Sequence, residues 1–322
     1  MSNYYCKKLE NDEGSVLLGY LPNDGTVQEA QISLRYGANL CRYSYKGFNI
    51  IDYDPALLKI GDFTGTLVLY PTPNRVENGV FIFRDKAYDQ VKRGQRIFEH
   101  GLVYDEEWEL VDLHTAENEA LLSARITWTI DSPLFEAFPF PHSLTLTFRL
   151  IDGEISITYD IFNNGSVEIP YGFGLHPYFQ KLSGEEQTLI TLPIEHVMEA
   201  TEALLPTGKI VQVKGTAFDL NRPTPIGKLD LDHVFLRTAG NTSAAIHYEE
   251  QGFEVNIQST DDFSYFVVYS PFGIPNFCLE NQTCSTNAHN LYHRGLREIS
   301  GLKMVAPGEH KTGTVRYVIS SE

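Results

Sequence analysis

The sequence predicts an all-β protein, folded as one large antiparallel β-sandwich, on three observations. Apolar and polar residues alternate with a period of two in several runs, a turn dipeptide joins two of those runs, and helical stripes are scarce. Leu144, Leu146, Phe148 and Leu150 alternate with Thr145, Thr147 and Arg149. Ile155, Ile157, Tyr159 and Ile161 then alternate with Ser156, Thr158 and Asp160. Asp152-Gly153 between them is a strong hairpin signal. Ile126, Trp128 and Ile130 continue the same period, as do Val315, Tyr317 and Ile319. Each run has one apolar face, the pattern of antiparallel sheets packed face to face. The 18 Tyr and 19 Phe suit pleated surfaces better than a helical bundle. A short helix is possible around 53–60 or 285–293, but neither stretch sustains a 3.6-residue period. No internal repeat, low-complexity tract or linker interrupts the chain, so residues 1–322 read as a single domain.

Composition narrows the function. The chain has 322 residues, 42% hydrophobic and 21% charged, enough for a large core and unlike long disorder. Its 25 basic and 42 acidic side chains give a net charge of −17 at pH 7. A field of that sign repels nucleic acid and anionic lipid, so neither is expected as a partner. One small anionic substrate held by Lys92, Arg93 and Arg96 is still compatible, although that cluster reads more simply as a solvated loop. Cys6, Cys41, Cys278 and Cys284 form no C-x-x-C pair, which argues against zinc ribbons and thioredoxin-like sites and for reduced thiols. The stretch MSNYYCKKLENDEGS lacks the apolar segment of a signal peptide. No apolar run approaches the roughly 18 residues that span a membrane, so a cytoplasmic protein, monomer or homodimer, is expected.

Five elements carry candidate chemistry. YGFGLHPYF, residues 171–179, places His176 before Pro177, which biases it toward an extended backbone. Gly172 and Gly174 remove side chains and would let a ligand approach the main chain. Imidazole titrates near pH ~6.5, so His176 is a candidate proton donor or acceptor, against the plainer reading of a satisfied core histidine. Glu280 follows Phe277, Cys278 and Leu279 at the expected end of a buried strand. Lost hydration there would raise its proton affinity and make it a better base, against the plainer reading of an exposed strand-end carboxylate. Glu99-His100-Gly101 is the third element, with Trp108 downstream, and Leu231-Asp232-His233-Val234-Phe235 the fourth. Asp232 either accepts hydrogen bonds from a ligand or caps a turn before a strand. In the fifth, Asn74-Arg75-Val76-Glu77-Asn78-Gly79, Arg75 offers a rigid fork of donors, or else a surface salt bridge.

Other patterns fail a chemical requirement. His289 and His293 have the spacing of a zinc pair on a helix, but no Glu follows His289 and no third ligand is evident. GFGLHP lacks the third glycine of a dinucleotide loop, and no G-x-S-x-G elbow occurs. Glu106-Glu107 and Asp261-Asp262 would point to opposite faces of a strand and read as solvated turns.

Taken in order, Asn74-Arg75 with Gly79, His100-Gly101, His176-Pro177-Tyr178-Phe179, Asp232-His233-Val234-Phe235 and the late Glu280 resemble the aldose 1-epimerase (galactose mutarotase) family. The likeness runs from about residue 74 to 280, and the strand-rich flanks extend it over nearly the whole chain. It implies a β-supersandwich with a sugar cleft across one sheet. It further implies that His176 is the catalytic acid, Glu280 the catalytic base and His100 the second active-site histidine. Asn74 and Arg75 would bind substrate and Asp232 would bind hydroxyls. Apart from the resemblance, aromatics such as Tyr104, Trp108 and Tyr178 offer a sugar a stacking surface, although most of the chain's aromatics read simply as core. Two departures bear on sugar preference: GLVYDEEW after His100 lacks a second glycine, and Asn281 follows Glu280 where many relatives carry proline. The implied reaction interconverts the anomers of an aldohexose without metal or other cofactor. A hexose-6-phosphate epimerase, needing cations such as Arg93 and Arg96 at the cleft's far end, and a sugar-binding protein without turnover are the alternatives.

Overall fold

In the computed structural model the described residues are 3–9, 14–240 and 243–321. Met1, Ser2, residues 10–13, Asn241, Thr242 and Glu322, which the expected 1–322 domain includes, lie outside them. Two large antiparallel sheets, one of 12 strands and one of nine among the described residues, share one continuous hydrophobic core. This is the all-β sandwich that the alternating runs predict. In the nine-stranded sheet, His142–Ile151 pairs with Glu154–Phe162 across the Asp152-Gly153 turn, where Gly153 has φ 69°. Leu144, Leu146, Phe148 and Leu150 are all buried, as are Ile155, Ile157, Tyr159 and Ile161. The predicted period fails at Ile130. The strand ends at Trp128, and Ile130 is 79% exposed in the following turn.

The 12-stranded sheet carries the site. At its centre Gly174–Gln180, Asn276–Gln282, Tyr265–Tyr269 and Asp232–Arg237 lie side by side, and the short strand Thr66–Leu69 pairs with the other edge of Gly174–Gln180. Successive strand residues face opposite sides. Leu175, Phe179, Phe277, Leu279, Phe266, Val268 and Phe235 enter the core between the sheets. His176, Tyr178, Glu280, Tyr269 and Asp232 therefore share the other face. Register sets Tyr178 opposite Cys278, Cys278 opposite Tyr269, and Tyr269 opposite Asp232. Continued by two residues, it sets His176 opposite Glu280 and Pro177 opposite Leu279, where proline has no N–H to contribute to the ladder.

Short helices occur at Pro55–Lys59 and Ala288–His293, inside the two stretches where the sequence leaves room for them. The first is started by Asp54, whose side chain accepts from the Ala56 N–H at 2.7 Å. Among the described residues, no helix is long and apolar enough to cross a membrane.

Candidate active site

Two loops close over that sheet face. One carries Asn74 and Arg75, the other Glu99 and His100, and an antiparallel bridge joins Arg75 to Glu99. The His100 N–H donates to the Asn74 carbonyl at 2.9 Å, and Leu102 N–H to the Tyr70 carbonyl at 2.7 Å. Gly101 has φ 75°, and a Cβ there would lie 2.3 Å from the Tyr70 carbonyl oxygen. Only glycine fits this close crossing, which fixes where His100 enters the cleft.

Loops and sheet enclose a cavity of about 150 Å³ lined by Asn74, Arg75, Glu99, His100, His176, Tyr178, Asp232 and Glu280, with Phe63 and Tyr269. His176, Glu280, His100, Asn74, Arg75, Asp232 and Tyr178, seven of the residues singled out in the sequence, thus meet at one place. Its volume falls below the roughly 300–1,000 Å³ of drug-sized ligand pockets and suits a single small ring.

His176 Nε2 lies 3.3 Å from Glu280 Oε1, the contact expected of a cross-strand pair. Glu280 Oε2 accepts from Gln282 Nε2 at 2.8 Å. The rings of His176 and Tyr178 stack with centroids 5.0 Å apart, and His100 meets His176 edge-on at 5.1 Å. Phe63 packs edge-on against the other side of His100. Arg75 donates from Nη1 to Asn74 Oδ1 at 3.2 Å and from Nη2 to Asp232 Oδ2 at 3.3 Å, with Nε 3.7 Å from Glu99.

Burial dominates the electrostatics. It pushes the Glu280 carboxyl up to about 8, aided by the charge of Asp232 and opposed by the Gln282 hydrogen bond and by Arg75. It lowers His176 to about 4, and the Arg75 charge acts in the same direction. His100 falls well below the ordinary imidazole value through burial, then through His176 and Arg75. Loss of hydration costs the charged form of each group, so all three shifts run toward neutrality. Burial has thus displaced the proton affinities of two touching groups, His176 and Glu280, in opposite directions.

Several sequence expectations are corrected here. Glu280 is an interior residue of Asn276–Gln282 rather than its end. A Cβ on Gly172 would meet Cys284 Sγ and Pro73, and one on Gly174 would meet Gln282, so these glycines admit protein packing instead of ligand. Lys92 and Glu106 are buried, not solvated: Lys92 Nζ pairs with Asp105 and lies 3.1 Å from Glu106, whose two oxygens Arg93 grips at 2.6 and 2.7 Å. Arg96 is held by Asp89. Neither Arg93 nor Arg96 lines the cavity. Trp108 is core, its indole N–H directed at the Val103 carbonyl, and Tyr104 packs on Phe63 without lining the cavity. His289 is buried with Nε2 3.3 Å from the Pro170 carbonyl. Sequence reasoning does not single out Phe63, Tyr269 or Gln282 and assigns Glu99 no role. Only the two-residue spacing from Glu280 to Gln282, which puts both on one strand face, is available as a signal.

Comparison with known proteins agrees with this architecture. The aldose 1-epimerase family model matches residues 23–318. The Escherichia coli protein YihR, itself uncharacterized, is 24% identical over 261 residues, covering 79% of this chain and 80% of its own. Galactose mutarotase of Sus scrofa is 33% identical over 215 residues, 58% of this chain and 59% of that one. Among solved structures, a galactose mutarotase-like protein from Clostridium acetobutylicum superposes with a TM-score of 0.85 at 20% identity, covering 99% of both chains. A galactose 1-epimerase from Lactobacillus acidophilus does so with a TM-score of 0.76 at 16% identity, covering 100% of this chain and 99% of its own. Given a family match spanning nearly the whole sequence, this chain belongs to the aldose 1-epimerase family.

Proposed function

We propose that the chain is an aldose 1-epimerase that interconverts the α and β anomers of a free aldohexose, with His176 as acid and Glu280 as base. The observation that carries this reading is the contact of 3.3 Å between two buried titratable groups on the floor of a cavity sized for one ring. Ring opening needs a proton delivered to the ring oxygen while another leaves the anomeric hydroxyl. Protonated His176 delivers the first from Nε2, and ionised Glu280 accepts the second. The step leaves His176 neutral and Glu280 protonated, the two forms that burial favours. The resting pair already holds its one proton on Glu280, so opening starts from the less populated arrangement in which that proton has crossed the 3.3 Å contact to His176. Rotation about the C1–C2 bond and reclosure on the other face return both protons. No electrons change hands.

Arg75, tied to Asn74 and Asp232, presents donors to sugar hydroxyls, and Asp232 presents acceptors. Tyr178 offers its ring as a wall, and His100 orients the sugar against His176. Positioned acid–base groups contribute typically ~10²–10⁴-fold each. His176→Ala and Glu280→Gln are each expected to slow mutarotation by that factor when followed by polarimetry. Near-normal rates in either variant would overturn the assignment.

A further inference from the structure

Arg75 is the one Lys or Arg lining the cavity among the described residues, and its charge is already committed. Its guanidinium lies between two carboxylates, Asp232 at 3.3 Å and Glu99 at 3.7 Å. Glu99 and Asp232 both border the space a ligand would fill, and Glu280 adds a third carboxyl group. The Glu99 side chain is 36% exposed, so it stands at the mouth of the cavity rather than in its floor. Arg93 and Arg96 are engaged by Glu106 and Asp89 and contribute nothing to the lining. A phosphate or carboxylate on the sugar would find no uncommitted cation here and would meet fixed negative charge at a few ångströms. In a partly desolvated cleft that repulsion is stronger than in bulk water. The chain's net charge of −17 adds repulsion at longer range.

We propose that Glu99 is a specificity-determining residue that bars anionic hexoses from the cavity and admits uncharged or ammonium-bearing ones. The inference rests on the epimerase reading above and adds a substrate class to it. Glu99 touches no reacting atom. It acts through the charge it places at the entrance, and its attraction for Arg75 keeps that guanidinium from turning toward an incoming anion.

The test compares kcat/KM for anomer equilibration of glucose, glucosamine, glucuronate and glucose 6-phosphate in the native protein and in Glu99→Gln. Native protein is expected to rank glucosamine at or above glucose, and both at least about 100-fold above the two anions. In Glu99→Gln the ratio of glucose to either anion should fall about tenfold, or about 1.4 kcal/mol of discrimination. The ratio of glucosamine to glucose should fall with it. Ratios within one variant are independent of how much active protein it contains, so a partly folded preparation still answers the question. Glu99→Ala, measured in the same way, separates loss of charge from a misplaced amide. Unchanged ratios in both variants, or native turnover of an anion at a rate similar to glucose, would overturn the proposal and leave the epimerase reading standing. If native protein equilibrates none of the four sugars and galactose no better, the epimerase reading itself falls.

Discussion

Gln282 donates from Nε2 to Glu280 Oε2 at 2.8 Å, while its own Oε1 is buried without a partner. A donor aimed at a carboxylate favours the ionised form, so Gln282 holds Glu280 below the value that burial alone would set. His176 and Glu280, 3.3 Å apart, form a pair. Between about 4, where His176 takes up a proton, and about 8, where Glu280 gives one up, the pair carries a single proton. That is the proton count ring opening requires, with the proton resting on Glu280 and passing to His176 before opening. kcat/KM should accordingly be level through the middle of this window and decline on both sides, because it reports the free enzyme's essential groups. Gln282→Met removes the donor and keeps much of the volume. A hydrogen bond to a charged group is worth ~1.5–3 kcal/mol, or roughly one to two pH units. The alkaline limb should move up by about one unit, and a stationary limb would show that Gln282 serves packing alone.

At the scale of elements, the strands of the nine-stranded sheet are legible because each has one buried face, and period two records that directly. The central strands of the other sheet are covered on both sides, by the core below and by cleft and loops above. Phe277, Cys278, Leu279 and Glu280 are all buried, so alternation is hidden and Glu280 reads as a strand end. Motif order picks out His176 and Glu280, and register then explains why they touch. Phe63 and Tyr269 carry no local mark that separates them from the many aromatics of the core. The pairing of Lys92 with Asp105 and Glu106 is hidden because adjacent like charges read as solvent-exposed when their partners lie elsewhere in the chain. The loop carrying His100 makes a test at this scale. Gly101→Ala forces a Cβ against the Tyr70 carbonyl at a positive φ, a strain of roughly 1–3 kcal/mol. Lower Tm and lower kcat are expected together, since relief of the clash displaces His100. Normal values of both would mean that the crossing is looser than its geometry indicates.

For the whole molecule, the site is a cost to stability that grows with pH. Glu280 has an ordinary value of 4.5 and a folded value of about 8. Between those limits the unfolded chain has released the proton and the folded protein still holds it. Folding stability associated with this group is therefore fully present below about 4.5, declines as pH rises, and is lost above about 8. A glutamine side chain in its place would not titrate and would be nearly the same shape. Glu280→Gln should thus match the native protein near pH 4.5 and exceed it increasingly up to pH 8, by an amount on the order of a few kcal/mol, after which the gap stays constant. Urea midpoints at about pH 5, 7 and 9 for both proteins measure it. The same substitution is expected to abolish most turnover, so one change separates what this carboxyl does for the fold from what it does for the chemistry. A gap that does not vary with pH would mean that Glu280 is not held protonated by burial, and the tuned proton affinity of the cleft would go with it.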